Sequence, residues 1–320
     1  MKFFRKLTSI PEKKEALLAL TASSILWGLS APIMKLLLAV TPLFLLAFLR
    51  FFIASIIFLL FRPNLRLERK DIPRIAFAAI INISIHIPLF FYGLSLTSVI
   101  NATMIAAAGP LFTLFLAKEF LKEDVKKNML IGGFIGLGGF AIVFLNPLIT
   151  NGFSISLLGN ALLFLSTLSW IYYEILLKKM HKKYDAKTLT FYTFFIGSIP
   201  LLPFALPSFH LIPELLKLPV FLFGIIWGIL ITSLLAFFLW QWGLARLSLS
   251  RVGFFSYVDP IVATVAAIII LEETLTYHFA VGALLIFIGL YVAEATIHYP
   301  HFHLYHAHMR KRSAKPCFFS

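Results

Sequence analysis

Residues 92–144 and 242–294 are two copies of one sequence stretch, aligned without a gap at a constant offset of 150. Apolar residues could match by chance in two hydrophobic segments. Glycine, proline and glutamate are sparse in such segments, and each constrains the backbone or the charge at its position. The matching residues of this kind are Gly93 and Gly243, Pro110 and Pro260, Glu123 and Glu273, Gly132 and Gly282, and Gly139 and Gly289. The chain is therefore an internal duplication, and both copies are expected to form the same helices.

The duplication extends upstream as a weaker match at an offset of 143. The matched pairs are Trp27 with Trp170 and Lys35 with Lys178. Repeats in a hydrophobic chain are typical of transporters, in which two copies enclose a substrate site near the middle of the bilayer. A duplicated membrane scaffold that moves no solute is the alternative.

Apolar segments near membrane-spanning length recur along the whole chain, which is 60% hydrophobic. A spanning helix needs about 20 mostly apolar residues, so the pattern predicts an all-α integral membrane protein with ten spans. The predicted spans are 16–38, 42–61, 73–96, 101–117, 129–147, 157–177, 188–207, 219–244, 254–271 and 279–297. Between them, helix breakers such as Asn146-Pro147 are expected to mark turns.

These spans predict a simple domain organisation. The chain divides into a cytoplasmic segment at 1–15, a first five-helix repeat at 16–147, a second repeat at 157–297 and a basic, histidine-rich cytoplasmic tail at 298–320. The first apolar run is too long for a typical signal peptide, so it is expected to remain as the first helix.

The positions of the 28 lysines and arginines predict the orientation of the spans. Lys35 and Arg50 lie within spans, Lys217 lies in a loop on one side, and every other basic residue lies on the opposite side. By the positive-inside rule that side is the cytoplasm and holds both termini. The net charge of +14 then reflects topology and contact with anionic lipid rather than nucleic acid. We expect the protein in the inner membrane of a prokaryotic cell.

Five helices per repeat is an odd number, so the two repeats must cross the membrane in opposite directions. The loop charges support this, because loop 118–127 is rich in lysine and the matching loop 268–277 has no lysine or arginine. Conversely, loop 97–101 is uncharged and its match at 247–251 carries Arg251. The predicted fold is ten transmembrane helices built from two inverted five-helix repeats.

Three stretches resemble the EamA domain of the drug/metabolite transporter superfamily. They are LWGLSAPIMK at 26–35, TPLFLLAFLRFFIA at 41–54 and YGLSLTSVINATMIAAAGPLFTLFLAKEFLKED at 92–124. The resemblance covers both halves, and it implies a ten-helix carrier that moves amino acids, other metabolites or drugs by alternating access, often outward. The second copy departs from the pattern, since it has no arginine matching Arg50 and carries Asp259 directly before its proline.

Ionisable side chains inside spans are costly unless they pair or face a cavity, and they mark candidate functional sites. His86 lies near the centre of the third span, where it would contact substrate, carry a proton or bond a neighbouring backbone. Arg50 would hold an anionic group or pair with Asp259 or Glu174 to fold the bundle. Lys35 lies near the outer end of the first span, where it faces a cavity or extends towards the interface.

The remaining candidates are a carboxylate and a set of aromatic residues. Glu174 lies four residues before Lys178 and either forms an ordinary helical ion pair with it or carries a coupling proton. Aromatic side chains would line a cavity through their π-faces or form the interfacial aromatic belt. The predicted substrate-binding residues are Trp27, Lys35, Arg50, His86, Tyr92, Trp170, Tyr173, Glu174 and Asp259.

These observations favour a non-enzymatic secondary carrier of small organic solutes, acting as an exporter or exchanger, with protons as a candidate coupling ion. No phosphate-binding loop is present, so ATP-driven transport by this chain is not expected. No cofactor or metal is predicted, although the histidine-rich tail leaves metal binding as an alternative to an interfacial role. The rival functions are an intramembrane enzyme using His86 with Glu174 or Asp259, and a non-transporting scaffold.

Overall fold

A computed structural model describes residues 12–121, 127–151 and 155–294, and this part of the chain is helical with no strand. We number its helices in chain order. They are α1 (Glu12–Leu38), α2 (Leu43–Phe58), α3 (Ile72–Leu96), α4 (Val99–Ala107), α5 (Gly109–Leu121), α6 (Lys127–Asn151), α7 (Ile155–Met180), α8 (Ala186–Ser198), α9 (Pro219–Arg246), α10 (Leu249–Phe255), α11 (Val258–Leu271) and α12 (Tyr277–Glu294). Residues 1–11 and the predicted tail at 298–320 lie outside the described part.

Six helices of the described chain are long and apolar enough to cross a membrane. They are Lys14–Leu38, Leu43–Phe61, Ile72–Leu96, Ile155–Met180, Ala186–Leu215 and Pro219–Arg246. Shorter apolar helices occur at Leu130–Leu145, Val258–Leu271 and Tyr277–Gly289. The composition and these helices confirm an integral membrane protein, because so many apolar helices cannot be hidden within one soluble core.

The fourth and ninth predicted spans are each divided into two helices. The first break falls at Ala108, between α4 and α5, and the second at Ser256-Tyr257, between α10 and α11. Pro110 and Pro260 lie in the first turns of α5 and α11. Proline has no N–H and clashes with the preceding turn, so it is tolerated at the start of a helix and disrupts the middle of one.

The predicted turn at Asn146-Pro147 is wrong, since α6 continues through it to Asn151. Helix-breaking residues are tolerated in apolar helices because neighbouring helices satisfy the freed backbone groups. The seventh span also continues beyond its predicted end at 207. Short 3₁₀ and α turns carry the chain on from α8 to Leu215.

Both α3 and α9 contain a π-helical segment, at Ile80–His86 and Trp227–Ala236. At the repeat offset of 150, residues 80–86 of the first segment correspond to 230–236, the last seven residues of the second segment. The wider turn changes the hydrogen-bonding ladder, and such segments are frequent at functional sites. Side chains of α1 bond the carbonyls of the second segment: Ser23 Oγ donates to Ala236 at 2.7 Å and Trp27 Nε1 donates to Thr232 at 3.2 Å.

Helices α6 and α12 pack through facing glycines. A Cβ added at Gly139 would lie 2.4 Å from the carbonyl oxygen of Gly282, and one at Gly289 would lie 2.5 Å from the carbonyl oxygen of Gly132. The backbones therefore approach too closely for any side chain at these positions. At the repeat offset of 150, Gly132 corresponds to Gly282 and Gly139 corresponds to Gly289. The contact of Gly139 with Gly282 is therefore equivalent, in the other copy, to the contact of Gly289 with Gly132.

A second pair of contacts is exchanged in the same way between α1 and α9 and between α7 and α3. A Cβ at Gly243 would lie 2.5 Å from Leu20 Cγ, and a Cβ at Gly93 would lie 2.7 Å from Leu163 Cγ. The offsets of 150 and 143 carry Gly93 onto Gly243 and Leu20 onto Leu163. Equivalent residues of the two copies thus make equivalent contacts, each with the opposite half of the chain.

The connection between α2 and α3 is tied to the turn between α7 and α8. Lys183 Nζ bonds Asp71 Oδ2 at 2.5 Å and also pairs with Glu68. Tyr184 Oη donates to Asp71 Oδ2 at 2.7 Å. These contacts form an ionic brace (Glu68, Asp71, Lys183 and Tyr184) that joins the two halves at one end of the bundle.

The ionic brace predicts a pH-dependent stability. Lys183 lowers the pKa of both carboxyl groups, and they raise the pKa of Lys183. The carboxylates therefore stabilise the fold above their unfolded pKa of about 4, and this contribution is lost as the pH falls through their lowered values. Asp71→Asn is expected to lower the thermal midpoint at pH 7, and the difference from wild type should shrink towards pH 3. Unfolding scans across this range test it; an undiminished difference at pH 3 would contradict the ionic origin.

Candidate functional site

A cavity of about 170 Å³ lies where helices from both halves of the chain meet. A cavity of about 150 Å³ holds a molecule the size of benzene, so there is room for a small solute. Residues of α1, α2, α3, α4, α5 and α7 line it together with residues of α9, α10 and α11. Six of the nine predicted substrate-binding residues reach it. They are Trp27, Arg50, His86, Trp170, Glu174 and Asp259.

Aromatic rings form one wall of the cavity. Trp27 contacts Trp170 edge-on, with ring centroids 5.5 Å apart, and lies 5.1 Å from Trp240. Phe237 packs edge-on against both Trp27 and Trp170. Such pairs add about 0.5–1.5 kcal/mol beyond their buried area. The rings therefore form a stable surface against which the apolar or cationic part of a solute can pack.

Arg50 places a buried cation beside the cavity. Its side chain is 5% exposed, its Nε donates to Ser233 Oγ at 2.7 Å, and its Nη1 lies 3.7 Å from the sulfur of Met34. The guanidinium also packs on the ring of Phe51, 4.7 Å from the centroid. Among the described residues, no carboxylate forms an ion pair with Arg50. The predicted structural pairing with Asp259 or Glu174 is therefore wrong in this structure.

The two cavity carboxylates also lack a cationic partner among the described residues. Glu174 Oε1 accepts a hydrogen bond from Trp240 Nε1 at 2.6 Å. The predicted ion pair with Lys178 is wrong, because the ammonium of Lys178 donates to the carbonyl of Leu244. Asp259 Oδ1 is buried without a hydrogen-bond partner in the described structure.

His86 bonds a neighbouring helix and also faces the cavity. Its Nδ1 lies 2.9 Å from the carbonyl oxygen of Ser166 and 2.7 Å from the Ser166 hydroxyl, while its ring packs 5.4 Å from Trp170. The predicted bond to a neighbouring helix backbone is therefore confirmed, and the predicted contact with substrate stays a prediction. Within the described residues, neither Glu174 nor Asp259 hydrogen-bonds His86, so the acid–base pair needed by the rival enzyme hypothesis is not formed.

Three predicted site residues do not line the cavity. Tyr92 is 51% exposed, so its ring points away from the meeting point of the helices. Tyr173 is fully buried behind Trp170, where its hydroxyl accepts from Gln241 Nε2 at 3.1 Å. Lys35 lies at the end of α1. Lys35 is set apart by its position at the end of its helix, and Tyr92 and Tyr173 by the direction in which their side chains leave the helix.

Lys35 instead belongs to an ionic latch (Lys35, Glu273, and the first amides of α4). Lys35 Nζ donates to the carbonyl of Thr97 at 2.6 Å and pairs with Glu273 Oε1 at 3.3 Å. The same carboxylate accepts from the backbone N–H groups of Val99 at 2.8 Å and Ile100 at 3.0 Å. Glu273 therefore caps the N-terminus of α4 and joins the two halves of the chain.

Sequence reasoning missed the residues that position the charged groups. Ser233 orients Arg50 and Ser166 orients His86. Phe237 completes the aromatic wall. Serine and phenylalanine recur throughout these apolar helices, so no local sequence signal distinguishes the three positions from their neighbours.

No group of three histidine, cysteine, aspartate or glutamate side chains that could hold a metal occurs in the part of the chain described here. The histidine-rich tail, with His301, His303, His306 and His308, lies outside those residues.

The chain belongs to the EamA-like transporter family, whose model matches residues 14–145 and 157–294. The two matched segments are the two halves of the internal duplication, and the match confirms the resemblance seen in the sequence. The protein is a membrane transporter by this family membership.

Related proteins cover nearly the whole chain. An uncharacterized transporter of Archaeoglobus fulgidus is 28% identical over 88% of this chain and 98% of its own length. A probable amino-acid metabolite efflux pump of Salmonella typhimurium is 26% identical over 88% of this chain and 94% of its own length. A crystal structure with 18% identity matches with a TM-score of 0.65 over 88% of this chain and 97% of that chain. This last likeness shows the fold alone.

Proposed function

We propose that this protein is a secondary carrier, an exporter or exchanger, that moves small organic solutes such as amino acids or related metabolites by alternating access. Ten spans in two inverted repeats, 16–147 and 157–297, rock around the central cavity. Both termini face the cytoplasm of a prokaryotic cell, in its inner membrane. The observation that carries this function is a cavity, lined by both halves, whose charged groups have no ionic partner in the described protein.

Two further observations support this function. The packing contacts of Gly139 with Gly282 and of Gly289 with Gly132 are exchanged by the repeat offset, as expected for a pseudo-two-fold axis between the two repeats. The name of the Salmonella typhimurium relative, a probable amino-acid metabolite efflux pump, supports the solute class.

Counterflow tests the proposed function directly. The purified protein is reconstituted in liposomes loaded with unlabelled amino acids, nucleosides or quaternary cations, and uptake of the labelled compound is followed. Saturable exchange of one class is expected. Silence across the panel with folded protein would contradict the carrier function for these solutes and favour the scaffold, whereas chemical turnover of a lipid or peptide without movement would favour the enzyme.

Glu174→Gln is expected to retain exchange but to lose its dependence on a pH gradient. Glutamine keeps a carbonyl oxygen that accepts the Trp240 hydrogen bond, and it cannot carry a titrating proton. Exchange is measured with and without a pH difference across the liposome membrane. Glu119→Gln, at an exposed position on α5, is the matched control. Unchanged pH dependence in Glu174→Gln would remove Glu174 from proton coupling.

A further inference from the structure

Arg50 presents more hydrogen-bond donors than the protein satisfies. A guanidinium carries five N–H groups. Ser233 takes the Nε proton, and the sulfur of Met34, a weak acceptor, lies near Nη1. The remaining donors have no carboxylate within ion-pair distance in the described residues, although the side chain is only 5% exposed. A buried cation in this state is costly in a membrane protein, and an anionic ligand would remove that cost.

The guanidinium and the aromatic wall line the same cavity, and both are anchored to one segment of α9. Ser233 Oγ accepts from Arg50, and the carbonyl of the preceding residue, Thr232, accepts from Trp27 Nε1. A solute in the cavity is therefore within reach of the cation and of the indole ring. Both acceptors belong to the π-helical segment of α9, which orients them differently from an ordinary α-helix.

From this arrangement we propose that the cavity is a carboxylate subsite. Arg50 binds the carboxylate of the transported solute through its Nη atoms, Ser233 holds the guanidinium in place, and Trp27 and Trp170 contact the body of the solute. The planar fork of arginine matches a carboxylate with two parallel hydrogen bonds. This assignment rests on the carrier function proposed above and names the chemical class that the carrier takes: small organic carboxylates.

The polarity of the cavity accommodates a second charge on the same solute. Glu174 and Asp259 line the cavity and have no cationic partner among the described residues. These two carboxylates would neutralise an ammonium group of the solute, just as Arg50 would neutralise its carboxylate. The proposal commits only to the carboxylate, and comparing an amino acid with its deaminated analogue determines whether the amine contributes.

A matched set of probes tests the carboxylate subsite. Binding of L-phenylalanine, 3-phenylpropionate, L-phenylalanine methyl ester and 2-phenylethylamine to purified protein is measured by quenching of tryptophan fluorescence, and the corresponding leucine set is measured in parallel. At least one acid is expected to bind, and its ester and amine are expected to bind about 30-fold more weakly or worse, as for loss of one partner of a buried charge pair. Equal binding of ester and acid, or failure of every acid to bind, would overturn the subsite.

Variants at Arg50 separate binding from folding. Arg50→Met is expected to abolish the preference for acid over ester while the thermal midpoint stays equal or rises, because a buried charge without a partner is replaced by an apolar chain of similar length. Arg50→Lys keeps the charge without the fork and should retain part of the preference. Arg246→Met, which removes an exposed guanidinium packed on Trp242, is the matched control. A lowered midpoint together with an unchanged acid preference in Arg50→Met would assign Arg50 to folding instead.

Measuring solute exchange in liposomes distinguishes failure of the carboxylate subsite from failure of the proposed carrier function. Exchange of amines or neutral solutes by wild type and Arg50→Met alike would overturn the carboxylate subsite and leave the carrier intact. Binding of acids that depends on Arg50, without exchange of any solute in liposomes, would support the subsite and contradict the carrier.

Discussion

Gly139→Ala is expected to destabilise the protein severely, whereas Gly138→Ala is expected to leave its stability equal or slightly higher, because alanine favours a helix over glycine. A Cβ at Gly139 would lie 2.4 Å from the carbonyl oxygen of Gly282 and 2.8 Å from the backbone nitrogen of Ile286. Both atoms are backbone, so the clash is relieved only by moving α6 away from α12. A Cβ at Gly138 meets nothing within 4 Å, which makes the neighbouring residue an unusually close control.

The expected cost is at or above the upper end of the roughly 1–3 kcal/mol typical of overpacked sites. Separating the helices also removes dispersion contacts along their length. Gly289→Ala should cost a similar amount, since its Cβ would lie 2.5 Å from the backbone of Gly132 and of Gly136. The measurement is the thermal midpoint in detergent. Equal midpoints for the Gly138 and Gly139 variants would contradict the close packing of this interface.

Glu273→Ala is expected to open the cavity towards the side of the membrane that bears the ionic latch. The substitution removes the acceptor of two α4 amides and the partner of Lys35. Hydrogen bonds to charged groups each contribute about 1.5–3 kcal/mol. These bonds are expected to stabilise the conformation in which the latch side of the cavity is closed. Their loss should raise the proportion of molecules open on that side about tenfold or more, because each 1.4 kcal/mol is a factor of ten.

Accessibility of a cavity cysteine measures this opening. Cys317 is the only natural cysteine, so Cys317→Ser combined with Thr103→Cys places a single thiol on the cavity wall. A membrane-impermeant maleimide applied from the latch side should label this thiol about tenfold faster in Glu273→Ala than in the parent protein. Glu272→Gln, the exposed neighbour, is the control and should label at the parent rate.

Reversing the two charges separates the ion pair from the helix cap. Lys35→Glu with Glu273→Lys restores opposite charges, but a lysine ammonium has no acceptor for the amides of Val99 and Ile100. The double variant should therefore remain as open as Glu273→Ala. Labelling restored to the parent rate would show that the ion pair alone closes this side.

Much of the fold could be predicted because membrane-spanning helices obey local rules. The long apolar runs at 16–38 and 219–244 became α1 and α9, since an apolar helix satisfies its backbone hydrogen bonds within the segment. The wrong predictions of helix bounds fall at positions where contacts with other parts of the protein override the local preference of the residues. At Asn146-Pro147 the helix continues, against the local preference for a turn. Ahead of Pro110 the chain breaks inside a predicted span.

The site shows the same division between local and distant information. Residue type and position within a span identified Arg50, His86 and Glu174 as candidates, and all three reach the cavity. The partners predicted for Glu174 and Arg50 were wrong, because the packing of the helices decides which side chains meet. Glu174 bonds Trp240 rather than the lysine four residues away, and Arg50 bonds Ser233 rather than a carboxylate.

The sequence by itself determined that this is a duplicated, helical membrane protein of the EamA-like transporter family, because apolar length and repeat spacing are properties of the linear chain. Only the tertiary structure decided which polar side chains meet. Lys35 forms a latch with Glu273, while Arg50 has no counterion among the residues that the structure describes. The physical reason is that pairing in an apolar bundle depends on how helices cross and rotate, and these angles are set by contacts such as Gly139 against Gly282 between residues far apart in the chain.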